Sequence, residues 1–206
     1  MKFKGGKVTL GRPKEGREYG WDMEYGHLEC ELKPFEASKF LCSNGEFYAF
    51  VKDGGYKNKK FWTEEGWTWV QYIKAEHPLF WIPGSKNSSD ELPSDYKLRL
   101  VADVIEMPWN WPVEVNQLEA AAFCVWKSEK EKKDVHLLSE AEWMHIYEAA
   151  CLPDELDWIG GSPGNLNLEH FSSPCPVDMF KHGSVYDAAG NVWQHTRTIL
   201  NSFPGF

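Results

Sequence analysis

The apolar positions of this chain change period several times, and each change marks a predicted element. Residues 1–34 alternate apolar with polar, most plainly at Lys7-Val8-Thr9-Leu10-Gly11 and His27-Leu28-Glu29-Cys30-Glu31-Leu32, the period of short strands. Between them Tyr19-Gly20-Trp21-Asp22-Met23-Glu24-Tyr25-Gly26 forms a glycine-bracketed ordered loop. A helix is predicted to begin at Ser43, a capping residue with Glu46 three positions on. Its apolar face is Phe47, Phe50 and Val51, and Asp53-Gly54-Gly55-Tyr56 ends it. Only a short helical turn is expected at Thr63–Trp67, and Ile82 to Asp95 is expected as an exposed loop. Lys97-Leu98-Arg99-Leu100-Val101 has strand character, whereas the prolines of Met107-Pro108-Trp109-Asn110-Trp111-Pro112 exclude a helix interior.

A second helix starts at Asn116 with Glu119 at the capping-box spacing, and Val115, Leu118, Ala122 and Val125 line one side. The charged run from Lys127 to Asp134 closes it on the surface. Ser139-Glu140-Ala141-Glu142 opens a third, through Trp143, Ile146, Tyr147 and Ala150. From Leu152 periodicity vanishes, and Gly160 to Gly190 is expected as long ordered loops of the kind that carry function or hold an ion.

Charge changes the picture chiefly by exclusion. A net charge of −9 opposes binding to a phosphate backbone or an anionic membrane, so neither nucleic acid nor membrane is an expected partner. No apolar run is long enough to span a bilayer, and Met1-Lys2-Phe3-Lys4-Gly5-Gly6 has no apolar segment of a secretion signal, so a cytoplasmic location is expected. The five cysteines, without a C-x-x-C pair, fit reduced and mostly buried thiols. The 11 tryptophans fit first an irregular fold with a large aromatic core, since most large aromatics are core residues, and second an aromatic-lined ligand site.

Several segments together resemble the formylglycine-generating-enzyme, or sulfatase-modifying-factor, family. Pro112 to Trp126 resembles its second-helix motif, Leu137-Leu138-Ser139-Glu140-Ala141-Glu142-Trp143 its "LPTEAEW" segment, and Asp187-Ala188-Ala189-Gly190-Asn191-Val192-Trp193-Gln194 its "GNVWEW" signature. Ser43-Asn44-Gly45-Glu46-Phe47 followed by Gly54-Gly55-Tyr56 resembles a fourth. The signature positions are Trp21, Asp22, Glu24, Gly55, Tyr56, Asn116, Glu119, Trp126, Glu140, Glu142, Trp143, Gly190, Asn191 and Trp193. The loop at Gly20–Gly26, Trp62-Thr63-Glu64-Glu65-Gly66-Trp67 and Trp109 to Asn116 look closest to the sulfoxide synthases of ergothioneine and ovothiol biosynthesis.

The resemblance implies an α+β fold of C-type-lectin-like type, irregular, with few helices, short antiparallel strands and long loops. One domain over 1–206 is expected, lacking the C-terminal part of the family fold. It also implies a non-haem iron(II) enzyme joining the sulfur of cysteine to histidine, with thiol and histidine substrates. The three iron-binding histidines of such enzymes belong to a helical-bundle domain, in the same protein or a neighbouring chain. The seven histidines here include no His-x-x-x-His pair; His145 and Glu148 share a helix face, as surface pairs commonly do. No catalytic residue is therefore nominated, and whether this chain alone is an enzyme is left open.

Family members often hold calcium in their loops. Asn165, Asn167, Asp178, Asp187, Asn191 and Gln194 offer oxygen donors, with Asn191 and Gln194 the metal candidates, although Asx residues in such loops also simply cap turns. Met23 replaces the usual Asn of the early loop, and Gln194-His195 replace Glu-Trp. His136 and Leu138 replace Arg and Pro, which removes the arginine of an expected ion pair. Such departures, with the surplus of tryptophan, also fit a non-enzymatic lectin-like binding module.

Overall fold

The computed structural model describes residues 1–15, 20–84, 95–152 and 163–204. It contains helices α1 (Asn44–Lys52), α2 (Glu64–Ile73), α3 (Gln117–Glu131) and α4 (Glu140–Ala149). Ser43, Asn116 and Ser139 cap α1, α3 and α4 as their sequences predict, each with the reciprocal Glu at the third position. α2 is a full ten-residue helix rather than a short turn. Thr63 accepts from the Gly66 amide at its start, and its buried Gly66 and Val70 dock it against α3.

The strands are short and pair only antiparallel: β1 (Lys2–Phe3) with β4 (Phe35–Glu36), and β2 (Gly6–Leu10) with β3 (Leu28–Leu32). β5 (Trp81–Pro83), β6 (Tyr96–Arg99) and β7 (Val104–Glu106) form a three-stranded sheet in chain order, and β8 (Lys181–His182) pairs with β9 (Val185–Tyr186). Ile82 and Pro83 thus belong to a strand and not to the expected loop; Gly84 N donates to the Asp95 carbonyl at 3.0 Å, and 85–94 lies outside the described residues.

Two packed groups result. The larger joins α1, α2 and α3 with the three-stranded sheet around an aromatic core in which Phe50 touches Tyr56, Phe61, Trp62, Phe123 and Trp126. Ring pairs at these separations add about 0.5–1.5 kcal/mol each to the burial of their area. Gly55 is required here by close approach: a Cβ on it would lie 2.3 Å from the Phe50 ring. Asn44, fully buried, accepts from Trp81 Nε1 at 3.1 Å and donates to the Pro108 carbonyl at 3.1 Å. The smaller group packs α4 on the β2–β3 hairpin, with two small apolar clusters, one around Phe3, Ile146 and Val185, the other around Val8, Leu10 and Ala141.

Two expectations need correcting. On α3, Ala122 is buried and Val115 and Leu118 pack on the aromatic core as expected, but Val125 points outward, and Glu119, Phe123 and Trp126 complete the buried face. The charged run closes this helix on the surface, as expected: α3 continues into it as far as Glu131 and ends with Lys132 left-handed at φ 52°. The cysteines are free, but only Cys175 is fully buried, and Cys151 is exposed. Trp62, Trp81 and Trp126 are core residues, while Trp21, Trp109 and Trp193 are exposed.

Candidate functional site

Between the two groups runs a cleft of about 1740 Å³. One wall comes from the start of α1 and the face of α3, the other from the β4 segment, α4 and the β9 hairpin. The segment 109–113 lies antiparallel to the entry of α1, with Gly45 N donating to Trp109 O at 2.8 Å and Val113 N to Cys42 O at 2.9 Å. It continues as Val113-Glu114-Val115 along the cleft, where His195 Nε2 donates to the Val115 carbonyl at 3.0 Å. The signature loop after β9 is thereby fixed beside the entry to α3.

The structure brings Asn116, Glu119, Glu142, Trp143, Trp193 and Gln194 to this cleft, and Trp21, Asp22, Glu24, Gly55, Tyr56, Trp126, Glu140, Gly190 and Asn191 elsewhere. Of the latter, Gly55, Tyr56 and Trp126 are core, with Trp126 Nε1 donating to Asp53 at 3.0 Å. Glu24 accepts from the Trp21 amide, closing the 3-10 turn Asp22–Glu24. Gly190 stands at φ 83°, a conformation only glycine takes freely, with the Asn165 carbonyl 2.9 Å from where a Cβ would sit.

Glu119 is nearly fully buried; burial pushes its carboxyl up, while the Tyr56 hydroxyl and the Asn116 amide donate to it and hold it down in part. Glu142 is the opposite case. Burial raises it, but the Ser139 amide and hydroxyl and the Arg197 guanidinium at 3.2 Å outweigh that, and its carboxyl ends below the usual range. Arg197 thus gives Glu142 an ion-pair partner from the segment beyond β9. Cys42 and Cys124 both line the cleft with thiols that burial pushes up, Cys124 to about 11. They are neutral packing groups, not thiolate nucleophiles.

Two features of the cleft escape motif reading. Lys39 Nζ lies 5.1 Å from the Phe40 ring centre and 5.3 Å from that of Tyr186, a cation held on an aromatic pair. Glu114 is half-buried, and burial pushes its carboxyl up. The signal for it in the sequence is one charge between two valines.

The described residues do not fit an iron site. Among the described residues no group of three or more His, Cys, Asp or Glu side chains converges to hold a metal ion. The histidines are scattered: His145 bonds the Lys4 carbonyl, His182 the Pro163 carbonyl and His195 the Val115 carbonyl. The two calcium candidates hold the loop together by hydrogen bonds. Asn191 accepts from Cys175 N at 2.9 Å and donates to Asp187 Oδ2 at 3.1 Å, and Gln194 donates to the Asp187 carbonyl at 2.8 Å. Among the described residues no helix is long and apolar enough to cross a membrane.

Known proteins resemble this chain. Hercynine oxygenase of Mycolicibacterium thermoresistibile is 26% identical over 96% of this chain, and that of Mycolicibacterium smegmatis 27% identical over 98%. The chain spans 43% and 46% of these two proteins, less than half of each. Inactive C-alpha-formylglycine-generating enzyme 2 of Bos taurus is 24% identical over 95% of the chain and 69% of that protein. The solved structure of PvdO from Pseudomonas aeruginosa matches with a TM-score of 0.58 at 19% identity, covering 94% of this chain and 69% of that one, and shows the fold alone. The sulfatase-modifying factor enzyme 1-like domain model matches residues 2–205, and the chain belongs to that family.

Proposed function

We propose that this chain is the sulfatase-modifying-factor-type domain of an oxygen-dependent oxidoreductase that joins a thiol sulfur to a histidine derivative. In this reading the iron(II) ligands come from a helical-bundle polypeptide outside these 206 residues. The observation that carries it is the similarity, over nearly the whole chain, to proteins named hercynine oxygenase. The chain's own part is to build a wall of the substrate cleft from α3, the Val113–Asn116 segment and the signature loop, and to keep that wall rigid and partly dry. Ergothioneine or ovothiol biosynthesis in the cytoplasm is the setting of this proposal. The test is reconstitution. The chain alone with iron(II), oxygen, cysteine and hercynine or histidine gives no sulfoxide by mass spectrometry, and co-expression with the helical-bundle polypeptide gives it. Turnover by the chain alone, or a reconstituted complex that stays inactive, overturns the reading.

Calcium at Asn191 and Gln194 belongs to the same proposal, and requires the Asn191 amide oxygen to leave its bond with Cys175 N and turn toward the ion. Millimolar calcium then raises the melting temperature and Asn191→Ala removes the increment; identical melting in calcium and in chelator retires the idea.

A second reading is favoured by the inactive formylglycine-generating-enzyme relatives and by the exposure of Trp21 and Trp193. It is a non-enzymatic lectin-like module that stacks aromatic faces on a ligand. Glycan-array and thermal-shift screening that returns a sugar ligand, together with an inactive reconstituted complex, decides for it.

A further inference from the structure

Tyr56 and Glu119 form a buried pair with a chemistry that packing does not use. The Tyr56 hydroxyl donates to the Glu119 carboxylate, whose other oxygen accepts from the Asn116 amide. Burial, with the Glu119 charge beside it, pushes the phenol well above its ordinary range, so it does not ionise on its own. A phenol gives up an electron readily only when a base takes its proton in the same step, because the protonated radical is a strong acid. Glu119 stands within hydrogen-bond reach of that proton.

Rings connect this pair to the cleft. The Trp62 ring centre lies 5.5 Å from that of Tyr56 and 6.3 Å from that of Trp69. Tyr56 and Trp62 are buried, whereas Trp69 is half-buried and lines the cleft. Electrons pass between neighbouring indole and phenol rings far faster than buried radicals react with solvent, and the phenol is the better donor once its proton has an acceptor. Tyr96 provides the contrast. Its ring centre lies 5.1 Å from that of Trp81, but its buried hydroxyl has no partner among the described residues to take a proton. Cys42 and Cys124 line the same cleft, as thiols that a stray radical there would otherwise oxidise.

We propose that Trp69, Trp62, Tyr56 and Glu119 form a one-electron relay that takes an oxidising equivalent off the cleft wall and holds it as a tyrosyl radical in the core. A one-electron oxidant in the cleft, an inorganic or oxygen-centred radical, takes an electron from Trp69 and is itself reduced. Trp62 refills Trp69, and Tyr56 refills Trp62, its phenol proton passing to Glu119 as the electron leaves. A small reductant such as ascorbate supplies the electron that restores Tyr56, and Glu119 returns the proton. This goes beyond the proposed oxidoreductase reading and does not depend on it: the relay lies wholly within this chain and involves no metal.

The test generates azidyl radicals by pulse radiolysis in a solution of the full chain and follows the indolyl and phenoxyl absorption bands. The indolyl band is expected to decay as the phenoxyl band rises, at a common rate independent of protein concentration, and ascorbate then clears the phenoxyl. Tyr56→Phe is expected to lose most of the phenoxyl yield. Glu119→Gln keeps an acceptor for the hydroxyl but is too weak a base to take its proton, and slows the rise about tenfold or more. Trp62→Phe, which keeps a ring in place, is expected to slow it likewise. Tyr96→Phe leaves rate and yield as in the parent. Melting curves establish which variants are folded, and Glu119→Gln and Trp62→Phe decide the matter if Tyr56→Phe does not fold. An undiminished phenoxyl yield in Tyr56→Phe, or an unchanged rate in Glu119→Gln or Trp62→Phe, overturns the proposal. So does a rise that scales with protein concentration, a phenoxyl that ascorbate leaves intact, or a loss in Tyr96→Phe equal to that in Tyr56→Phe.

Discussion

Asp187 is a loop residue at φ 48° with no exposed surface, and among the described residues only its Oδ2 has a hydrogen-bond partner, Asn191. Burial dominates its electrostatics and lifts the carboxyl from 3.8 to about 6, against the Asn191 hydrogen bond and the charge of His182. The folded state therefore holds this proton more tightly than the unfolded chain does. The stability it contributes is complete below pH 3.8 and is lost as the pH rises through 6, a term of about 3 kcal/mol in magnitude. Asp187→Asn keeps the shape, and asparagine tolerates the left-handed backbone. In calcium-free buffer its melting temperature is expected to gain on the parent's steadily between those two values; parallel profiles would rule the titration out. The Tyr56–Glu119 pair gives a second test. Tyr56→Phe leaves a buried carboxyl without its hydroxyl donor and is expected to destabilise the fold by about 1–3 kcal/mol in urea unfolding. In Glu119→Gln the same tyrosine change costs less, because the acceptor left behind is neutral.

At the scale of elements, the N-terminus of α4 is where the tail is tied down. Ser139 caps the helix, Arg197 pairs with Glu142, the Glu140 amide donates to the Thr198 hydroxyl at 2.9 Å, and Arg197 N donates to the Leu138 carbonyl at 2.9 Å. Ser139→Ala is expected to cost about 1 kcal/mol of stability in denaturant unfolding, the usual loss of an N-cap. Arg197→Ala is expected to cost less than that globally, since the guanidinium is half exposed. It should nonetheless speed amide exchange at Arg197 and Glu140, whose bonds depend on the strap. Because Glu142 sits below its ordinary range, its stability term is present at neutral pH and is lost as the pH falls through that lowered value.

The starts of α1, α3 and α4 were legible because a cap is a local event, written within four residues. The length of α2 was not, because the Trp67–Ile73 stretch is helical by virtue of what it packs on, and β1–β4 pairing joins residues over thirty positions apart. For the same reason the site was legible only in part. The motifs located Asn116, Glu119, Trp143 and Trp193, but a cleft whose walls come from residues 34–46, 113–127 and 185–196 exists only after folding. Glu114 gains its meaning from that enclosure, and Trp21, which belongs to an equally recognisable motif, lies outside it.

On the scale of the whole molecule, the two packed groups differ in what holds them. The larger encloses a continuous set of rings around Phe47 and Phe50, both essentially without exposed surface, and hydrogen-bonds its buried Asn44 and Glu119, leaving the Tyr96 hydroxyl without a partner among the described residues. The smaller relies on two small clusters, on two-stranded sheets that are marginal in isolation, and on Phe203 lying against Gly26. The cleft separates their cores, and loop contacts join the two groups at few points, among them Val177 N to Asn110 O at 3.0 Å and His195 to Val115. Local opening follows the density of buried apolar contacts. Native-state hydrogen exchange is therefore expected to find the slowest amides in α1 and α3, with α4 and the β2–β3 hairpin opening earlier and together. Phe203→Ala should lower protection in that hairpin and in α4 while leaving α1 and α3 unchanged. A ligand that fills the cleft should narrow the gap, since it contacts both walls at once and each wall must part from it to open. Equal protection across both groups, with Phe203→Ala acting uniformly, would mean that they unfold as one unit and that the cleft is no boundary in the folding of this domain.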